Sequence, residues 1–395
     1  VPGTPERPNT HALIQALRNS GLLADARIAA AFATVKREIF LPGIDLDEVY
    51  SDRAIVTRRD SAGTAVSSSS QPGMMAAMLD QLDLAPGMNV LEIGAGTGYN
   101  AAVMQAIVGA EGRVTTIEID PEVAAAAREN LYRAGFAQVN VVESDGVSGY
   151  APRAAYDRII CTAAIWDVPR AWVRQLKPRG RLVTPIQLHA GQVSACLILQ
   201  ADGTLLSTDN RPCGFVLMRG TAAVPDLTRQ IGSSGLTLLS PEASQIDSAR
   251  LHLLLTEDHE INHLSMRLEP EEIWSGLMHY TLLNAPDDVL LATYRIPEGQ
   301  KAYGIAEGSG YAIMGAASAC FVPFQSGGTA DCFAGSEAFL TAQAMLDQWQ
   351  AIGKPSVDQL RVQLAAGADS PPASEIGRVY TRNDHDIHVW MEPLA

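Results

Sequence analysis

Hydrophobic and polar positions change period several times along the chain. Over residues 9–40, Leu13, Leu17, Ile28, Ala31, Phe32 and Val35 recur at helical spacing with Gly21 between the halves, which predicts two amphipathic helices ending at Leu41-Pro42-Gly43. Residues 50–72 show no period and read as irregular. They contain Arg58-Arg59-Asp60 and the run Ser67-Ser68-Ser69-Ser70-Gln71-Pro72. A helix is predicted over 73–82, with Met74, Met75, Met78 and Leu79 on one side as core packing. After Pro86-Gly87 short apolar runs alternate with helical ones. Strands are predicted at 89–93, 114–118, 139–143, 157–161, 181–186 and 194–199, and helices at 100–108, 121–134 and 169–176. Strands separated by helices imply an α/β, mostly parallel sheet that binds ligands at the carboxyl ends of its strands. Residues 211–219 read as a last edge strand.

Residues 220–235 are rich in Gly, Ser, Thr and Pro and read as a linker. Beyond them, strand-like runs at 251–256, 289–296, 302–306 and 311–324 alternate with helices at 271–283 and 336–352, an α+β module. The organisation expected is a helical region over 1–60, a β/α unit over 61–220 and a C-terminal α+β domain over 221–395. No internal repeat is visible.

Charge divides unevenly over the 395 residues. Residues 1–220 hold 20 Lys and Arg against 22 Asp and Glu, whereas residues 221–395 hold 9 against 22, within a whole-chain net charge of −15. An acidic second half argues against nucleic-acid binding and favours either a solvated acidic surface or a basic partner. No run of eighteen apolar residues occurs, so no membrane span is expected. The polar, Pro-rich residues 1–8 do not read as a signal peptide. Five scattered cysteines without a C-x-x-C fit reduced, buried thiols, and the expected location is the cytoplasm.

The chemistry is concentrated in Val90-Leu91-Glu92-Ile93-Gly94-Ala95-Gly96-Thr97-Gly98-Tyr99, followed by a second strand ending in Glu118. Strand, glycine turn, helix and acid-tipped strand make a nucleoside site. Gly94, Gly96 and Gly98 allow close backbone approach, and Glu118 can accept both ribose hydroxyls. Asp120 is a second candidate for that role, although its place before Pro121 suits a helix cap. The turn lacks the dinucleotide spacing and carries an acid, Glu92, two residues ahead of it. Coulomb attraction then favours a cationic ligand such as S-adenosylmethionine, with its ammonium and sulfonium, over a pyrophosphate. Thr162, after the fourth β/α strand, is placed toward the methionine end.

These residues resemble the protein-L-isoaspartate O-methyltransferase family over about residues 10–220. The resemblance rests on residues 35–42 (Val-Lys-Arg-Glu-Ile-Phe-Leu-Pro), Tyr50-Ser51-Asp52, residues 84–102, Asp145-Gly146, residues 156–160, Thr162-Ala163-Ala164 and Gly180-Arg181-Leu182-Val183. It implies a Rossmann-like class I S-adenosylmethionine-dependent methyltransferase fold with N-terminal helices. It also implies S-adenosyl-L-methionine as cofactor and S-adenosyl-L-homocysteine as product. Ser70 falls on the family's active-site serine and would orient the substrate carboxylate. Ser68, Ser69 and Gln71 would line the cofactor edge, and Asp145 would accept the adenine amine with Gly146 alongside. The family's His after the loop proline is Gly73 here, the loop after Asp52 is longer, and the chain runs about 175 residues past the family's usual end. Those departures resemble a branch acting on ribosomally made peptides such as lanthipeptides and graspetides. The reaction then expected is methyl esterification of an Asp in a cyclised precursor peptide, leading through aspartimide to isoaspartate. General repair of isoaspartate in damaged proteins is the alternative, and a binding protein with a vestigial cofactor fold is a third.

His259-Glu260-Ile261-Asn262-His263 matches the H-E-x-x-H zinc pattern but falls in a charged turn by this reading, so no metal is expected. His385 and His388 are expected on the surface of a late strand.

Overall fold

The computed structural model describes residues 9–61, 63, 65–188, 191–240, 242–366 and 377–394. Residues 1–8, where a signal peptide was not expected, lie outside that set. Helices α1 (Thr10–Asn19) and α2 (Ala26–Thr34) bury the apolar stripe that their spacing indicates. Asn9 caps the first by accepting from the Ala12 N–H, and Asp25 caps the second by accepting from those of Arg27 and Ile28. After α3 (Leu46–Val49), the stretch expected to be irregular pairs with itself. Strands β1 (Ile55–Arg59) and β2 (Ala65–Ser69) form an antiparallel hairpin. Only Ile55, Ser67 and Ser69 of the ten strand residues are buried, so no apolar alternation marks it in the sequence. Helix α4 (Pro72–Leu82) follows, with Pro72 in its first turn, where no amide donor is missed.

The β/α alternation then appears much as its pattern predicts: β3 (Asn89–Ile93), α5 (Tyr99–Val108), β4 (Arg113–Glu118), α6 (Pro121–Arg133), β5 (Asn140–Glu143), β6 (Tyr156–Cys161), α7 (Arg170–Gln175), β7 (Leu176–Gln187), β8 (Gln192–Leu199) and β9 (Leu205–Cys213). Strands lie in the order β5-β4-β3-β6-β7 and are parallel, so the strand order reverses beside β3, where a ligand crevice opens. From β7 onward the pairing is antiparallel. Residues 211–219 are therefore not an edge strand: β9 ends at Cys213 and pairs on its far side with a strand from the end of the chain.

The second half contributes β10 (Thr228–Gln230), β11 (Thr237–Leu239), α8 (Ser248–Leu254), β12 (His259–His263), α9 (Pro270–Glu272), a π-helical turn (Ile273–Leu277), α10 (Met278–Asn284), β13 (Leu290–Ile296), β14 (Gly308–Met314), β15 (Ser318–Pro323), β16 (Thr329–Ala334), α11 (Glu337–Ala351), β17 (Leu360–Ala365), β18 (Arg378–Thr381) and β19 (Asp386–Met391). Seven of these strands form an antiparallel sheet ordered β10-β11-β13-β14-β15-β16-β12. The last three extend the first sheet to ten strands through β9-β17-β19-β18.

Five expectations change here. Residues 251–256 belong to helix α8 and its end, because Leu251 and Leu255, four apart, pack on the seven-stranded sheet. A short apolar run does not separate helix from strand by periodicity. Residues 302–306 form a turn closed by an Ala302–Ile305 bridge, residues 311–324 are two strands broken at Gly315, and the expected linker holds β10. His385 and His388 are buried: His385 Nδ1 lies 3.1 Å from Asp167 Oδ1, and His388 stacks on Trp390.

Packing follows from strand alternation. Val90, Val114, Ile160 and Val183 face a layer made by α1, α2, α4, α5 and α6. Leu91, Ile159 and Leu182 face the opposite side, in one core with α7, α10 and α11, which also packs against β14–β16. Both sheets therefore share a hydrophobic core. No helix among the described residues is long and apolar enough to cross a membrane.

Asn210 ties β9 to β17, donating from Nδ2 to the Leu360 carbonyl at 2.6 Å and to Ser207 Oγ, which accepts the Val362 N–H. Asn210→Ala removes this link while the Leu360 carbonyl keeps its bond from Arg361 Nη1 at 2.7 Å, and should cost about 0.5–1.5 kcal/mol in a denaturant titration. A loss within measurement error would show that this junction does not hold the sheet extension.

Candidate functional site

The carboxyl ends of β3, β4 and β6, the turn into α5, the end of β2 and residues 215–219 line one cavity. Glu92 comes from inside β3 and is fully buried, because both faces of that strand are covered. Asn100 Nδ2 donates to its Oε1 at 2.7 Å and Thr116 Oγ1 to its Oε2 at 2.6 Å. Burial still dominates those two hydrogen bonds and pushes its pKa up to about 7. No basic side chain pairs with it among the described residues.

The glycine turn is built by contact as well as by torsion. A Cβ on Gly94 (φ +98°) would stand 2.6 Å from Thr162 Oγ1, whose hydroxyl donates to the Gly94 carbonyl at 2.8 Å. The Gly96 N–H donates to Glu118 Oε2 at 3.1 Å, joining the turn to the tip of β4, and Asp120 N–H donates to Glu118 Oε1. Asp120 itself caps α6, accepting from Glu122 and Val123. Gly98 does not line the cavity. Its φ of +86° starts α5, and a Cβ there would press on Ala127 and Leu131 of α6.

The serine run closes the opposite wall. Ser68, Ser69 and Ser70 all line the cavity. They are held by Arg37, a fully buried guanidinium from the turn after α2. Its Nη2 donates to Ser69 Oγ (3.3 Å) and the Ser70 carbonyl (3.0 Å), and its Nη1 to the Val49 carbonyl (2.8 Å). Burial lowers its pKa, and the cation lies 5.9 Å from the Tyr99 ring centre. Gln71 points elsewhere, with its amide on Asp52 Oδ2 at 3.0 Å. The other oxygen of Asp52 accepts the Gly73 N–H at 2.7 Å, and a Cβ on Gly73 would meet Leu22 at 2.8 Å and Asp52 at 3.0 Å.

Gly146 lines the cavity, whereas Asp145 stands behind the wall, accepting from Val147 N–H (3.0 Å) and Thr221 N–H (2.7 Å). Burial opposes its charge, but those amides outweigh it and hold the carboxyl below its ordinary value. The structure thus gathers Ser68, Ser69, Ser70, Glu92, Gly94, Gly96, Glu118, Gly146 and Thr162 around one cavity, and sets Gln71, Gly98 and Asp145 outside its lining.

Several wall residues escaped the sequence reading. Arg37 sat in a quoted motif, but nothing in a one-dimensional pattern marks a buried cation. Asn100 and Thr116 are identified only through the carboxylate they serve. Arg219 is the one basic residue lining the cavity among the described residues, and it makes no ion pair there. The H-E-x-x-H match lies in the edge strand β12, not in a turn or a helix. His259 stacks on Phe333 and bonds Asp331, and no group of three potential ligands forms a metal site among the described residues.

Glu92 makes stability depend on pH in a definite sense. A carboxyl raised from about 4.5 to about 7 by folding favours the fold while neutral. That contribution is full below pH 4.5 and lost as pH rises through 7. Glu92→Gln should therefore gain on the wild type between pH 5 and pH 8, by up to about 3 kcal/mol. Equal pH profiles would refute the burial of this charge. Arg37→Met should lower thermal stability and loosen the serine run, read as faster amide exchange at 68–70. Unchanged exchange would deny Arg37 that role.

Comparisons with known proteins bear on this geometry. Residues 8–223 match the sequence model of the family described as Protein-L-isoaspartate(D-aspartate) O-methyltransferase. The chain is 38% identical over 209 residues to a protein-L-isoaspartate O-methyltransferase of Methanopyrus kandleri, covering 53% of this chain and 90% of that protein. It is 39% identical over 216 residues to one of Hyperthermus butylicus, covering 53% and 87%. A solved protein-L-isoaspartate O-methyltransferase aligns over 97% of this chain and 99% of its own, with a TM-score of 0.53 and 23% identity. That likeness concerns fold alone and includes the C-terminal part.

Proposed function

Because the chain belongs to the protein-L-isoaspartate O-methyltransferase family, we propose that it methyl-esterifies one aspartyl side chain in a ribosomally made, cyclised precursor peptide. At the coarser level it is an (iso)aspartate carboxyl methyltransferase of class I fold that uses S-adenosylmethionine. The residues present fit that donor. Glu92 offers a buried carboxyl with no basic partner, which a bound cation would hold ionised, Glu118 would close the ribose side, and at Gly94 a side chain would collide with Thr162.

When bound, S-adenosylmethionine supplies an electrophilic methyl on a cationic sulfur. The chain's own part is positional. Glu118 would accept from the ribose, Gly146 would lie against the adenine, and Ser68, Ser69 and Thr162 would shape the edge and the methionine end. Ser70 donates a hydrogen bond that orients the substrate carboxylate. No base is required, since an aspartate is ionised at neutral pH. Holding its oxygen in line with the methyl and keeping water out supplies the rate. The ester is then attacked by the next backbone nitrogen, methanol leaves, and the aspartimide opens to isoaspartate or aspartate. A small following residue, above all Gly, hinders that attack least. The setting for such a precursor is the cytoplasm, and residues 221–395 are the part assigned to recognising it.

The observation that carries the peptide-specific reading is the Asp52–Gly73 contact. Where the family has a histidine after the loop proline, this chain has Gly73, its amide fixed by the Asp52 carboxylate and an added Cβ pressing on the tips of the Leu22 and Asp52 side chains. Repair of isoaspartate in damaged proteins is the competing reading, supported by the names of relatives at 38% and 39% identity. Isotope-labelled S-adenosylmethionine offered with a linear isoaspartyl peptide, and separately with a cyclised Asp peptide, separates the two. Labelling of the cyclised Asp peptide alone is expected, and efficient labelling of any short isoaspartyl peptide would overturn it.

Two substitutions test the site. Ser70→Ala should lower kcat by about 10–100-fold, the worth of one charge-assisted hydrogen bond, with S-adenosylhomocysteine affinity unchanged by calorimetry. Glu118→Ala should weaken that affinity by about tenfold or more, at least 1.4 kcal/mol. Retained activity in the first or retained affinity in the second would remove the assigned role.

A further inference from the structure

A second cleft opens between the two sheets. It is lined by half-buried Trp274 and Phe324, packed edge to face at 5.1 Å between ring centres. Its sides carry hydroxyls, Thr237 of β11, Thr293 of β13 and Ser309 of β14. On the other side stand Gln192, Cys213 and Gly214, from the start of β8 and the end of β9.

That side is a wall shared with the first cavity. Cys213 and Gly214 face the cleft, and the next residues, Phe215 to Arg219, face the cavity that holds Glu92 and Ser70. Gln192 fixes the step between them: its Oε1 accepts the Phe215 N–H at 2.7 Å and its Nε2 donates to the Phe215 carbonyl at 3.2 Å. The two spaces thus adjoin across a braced strip of backbone.

Charge selects the occupant. Within a half that holds 9 basic against 22 acidic residues, the cleft is lined by one basic side chain, Arg295, and no acidic one. Arg295 is exposed and forms no ion pair among the described residues. Arg295 and Ser309 also line an adjoining groove with Glu298 and Glu307, neither of which comes within ion-pair distance of the guanidinium. Arg219, in the shared wall, is unpaired as well. A solvated guanidinium in a cleft that also holds aromatic rings and hydroxyls suits a carboxylate on an extended chain that also carries an aromatic or apolar residue.

We infer that this cleft is the groove for the substrate peptide flanking the methylated residue, with Arg295 receiving a peptide carboxylate and Trp274 and Phe324 a large side chain. The assignment rests on the peptide-methylation reading above and adds to it where specificity is read.

The test uses the full chain saturated with S-adenosylhomocysteine and a fluorescein-labelled peptide whose central Asp lies in a side-chain-cyclised ring. Linear flanks of roughly ten residues, each spanning roughly 33 Å when extended, carry one Glu-Phe pair apiece. A matched peptide carries Lys-Phe pairs. Fluorescence anisotropy should show the wild type binding the acidic peptide. Arg295→Glu should weaken that binding at least tenfold and bind the Lys peptide more tightly than the wild type does. Trp274→Ala should weaken both peptides while calorimetric S-adenosylhomocysteine affinity stays unchanged, which controls for folding. Acidic-peptide binding that is absent in the wild type, unchanged in Arg295→Glu, or lost without gain for the Lys peptide would overturn the groove. Methyl transfer is scored separately. A peptide bound through Arg295 yet never methylated in any form would leave the groove standing and remove the functional reading.

Discussion

A carboxylate with no cation beside it lies at the end of the central strand, and that charge decides what the cavity can hold. Burying Glu92 is costly, and two neutral donors, Asn100 and Thr116, offset only part of the cost, so its proton affinity rises toward neutrality. Parallel pairing sets Glu92 of β3 opposite Thr116 of β4 and brings Glu118 two residues further along the same strand. The reversal of strand order beside β3 opens the crevice at that point. A phosphate would meet two acids there, whereas a sulfonium meets compensation.

The wall facing those acids depends on another buried charge. Arg37 is neutralised by carbonyls and a hydroxyl, not by a carboxylate, and its hydrogen bonds gather the end of β2, the residues after α3 and the serine run into one unit. The hairpin ahead of the serines is further clasped to the start of α6, where Arg58 bonds Glu122 at 2.6 Å and lies 3.3 Å from Asp120. The serines therefore reach the cavity from a rigid base, as positioning chemistry requires.

Sequence pattern revealed the β/α unit because buried parallel strands are continuous apolar runs between helices, and the acid-tipped strands with a glycine turn are local signals. It failed where structure depends on partners distant in the chain. Residues 211–219 looked like an edge because nothing local shows that 360–365 will pair with β9. The 55–69 hairpin has too few buried residues to alternate, and 251–256 is too short to reveal its period. Gln71, Gly98 and Asp145 carried the right chemistry for the site, yet Asp52, α6 and the 220–221 turn engage them instead. His385 and His388 looked superficial because the sheet that buries them is assembled from both ends of the chain.

The second half shares its core with the sheet that carries the first cavity and supplies three of its ten strands, so both halves sit on one scaffold. The most direct test of the central claim is proton-linked calorimetry. S-adenosylmethionine is titrated into the full chain near pH 6 in buffers of differing ionisation enthalpy. A cation entering beside a protonated Glu92 should expel roughly one proton, and Glu92→Gln should abolish that release. Binding with no proton released, or a pyridine dinucleotide binding in its place, would contradict the account.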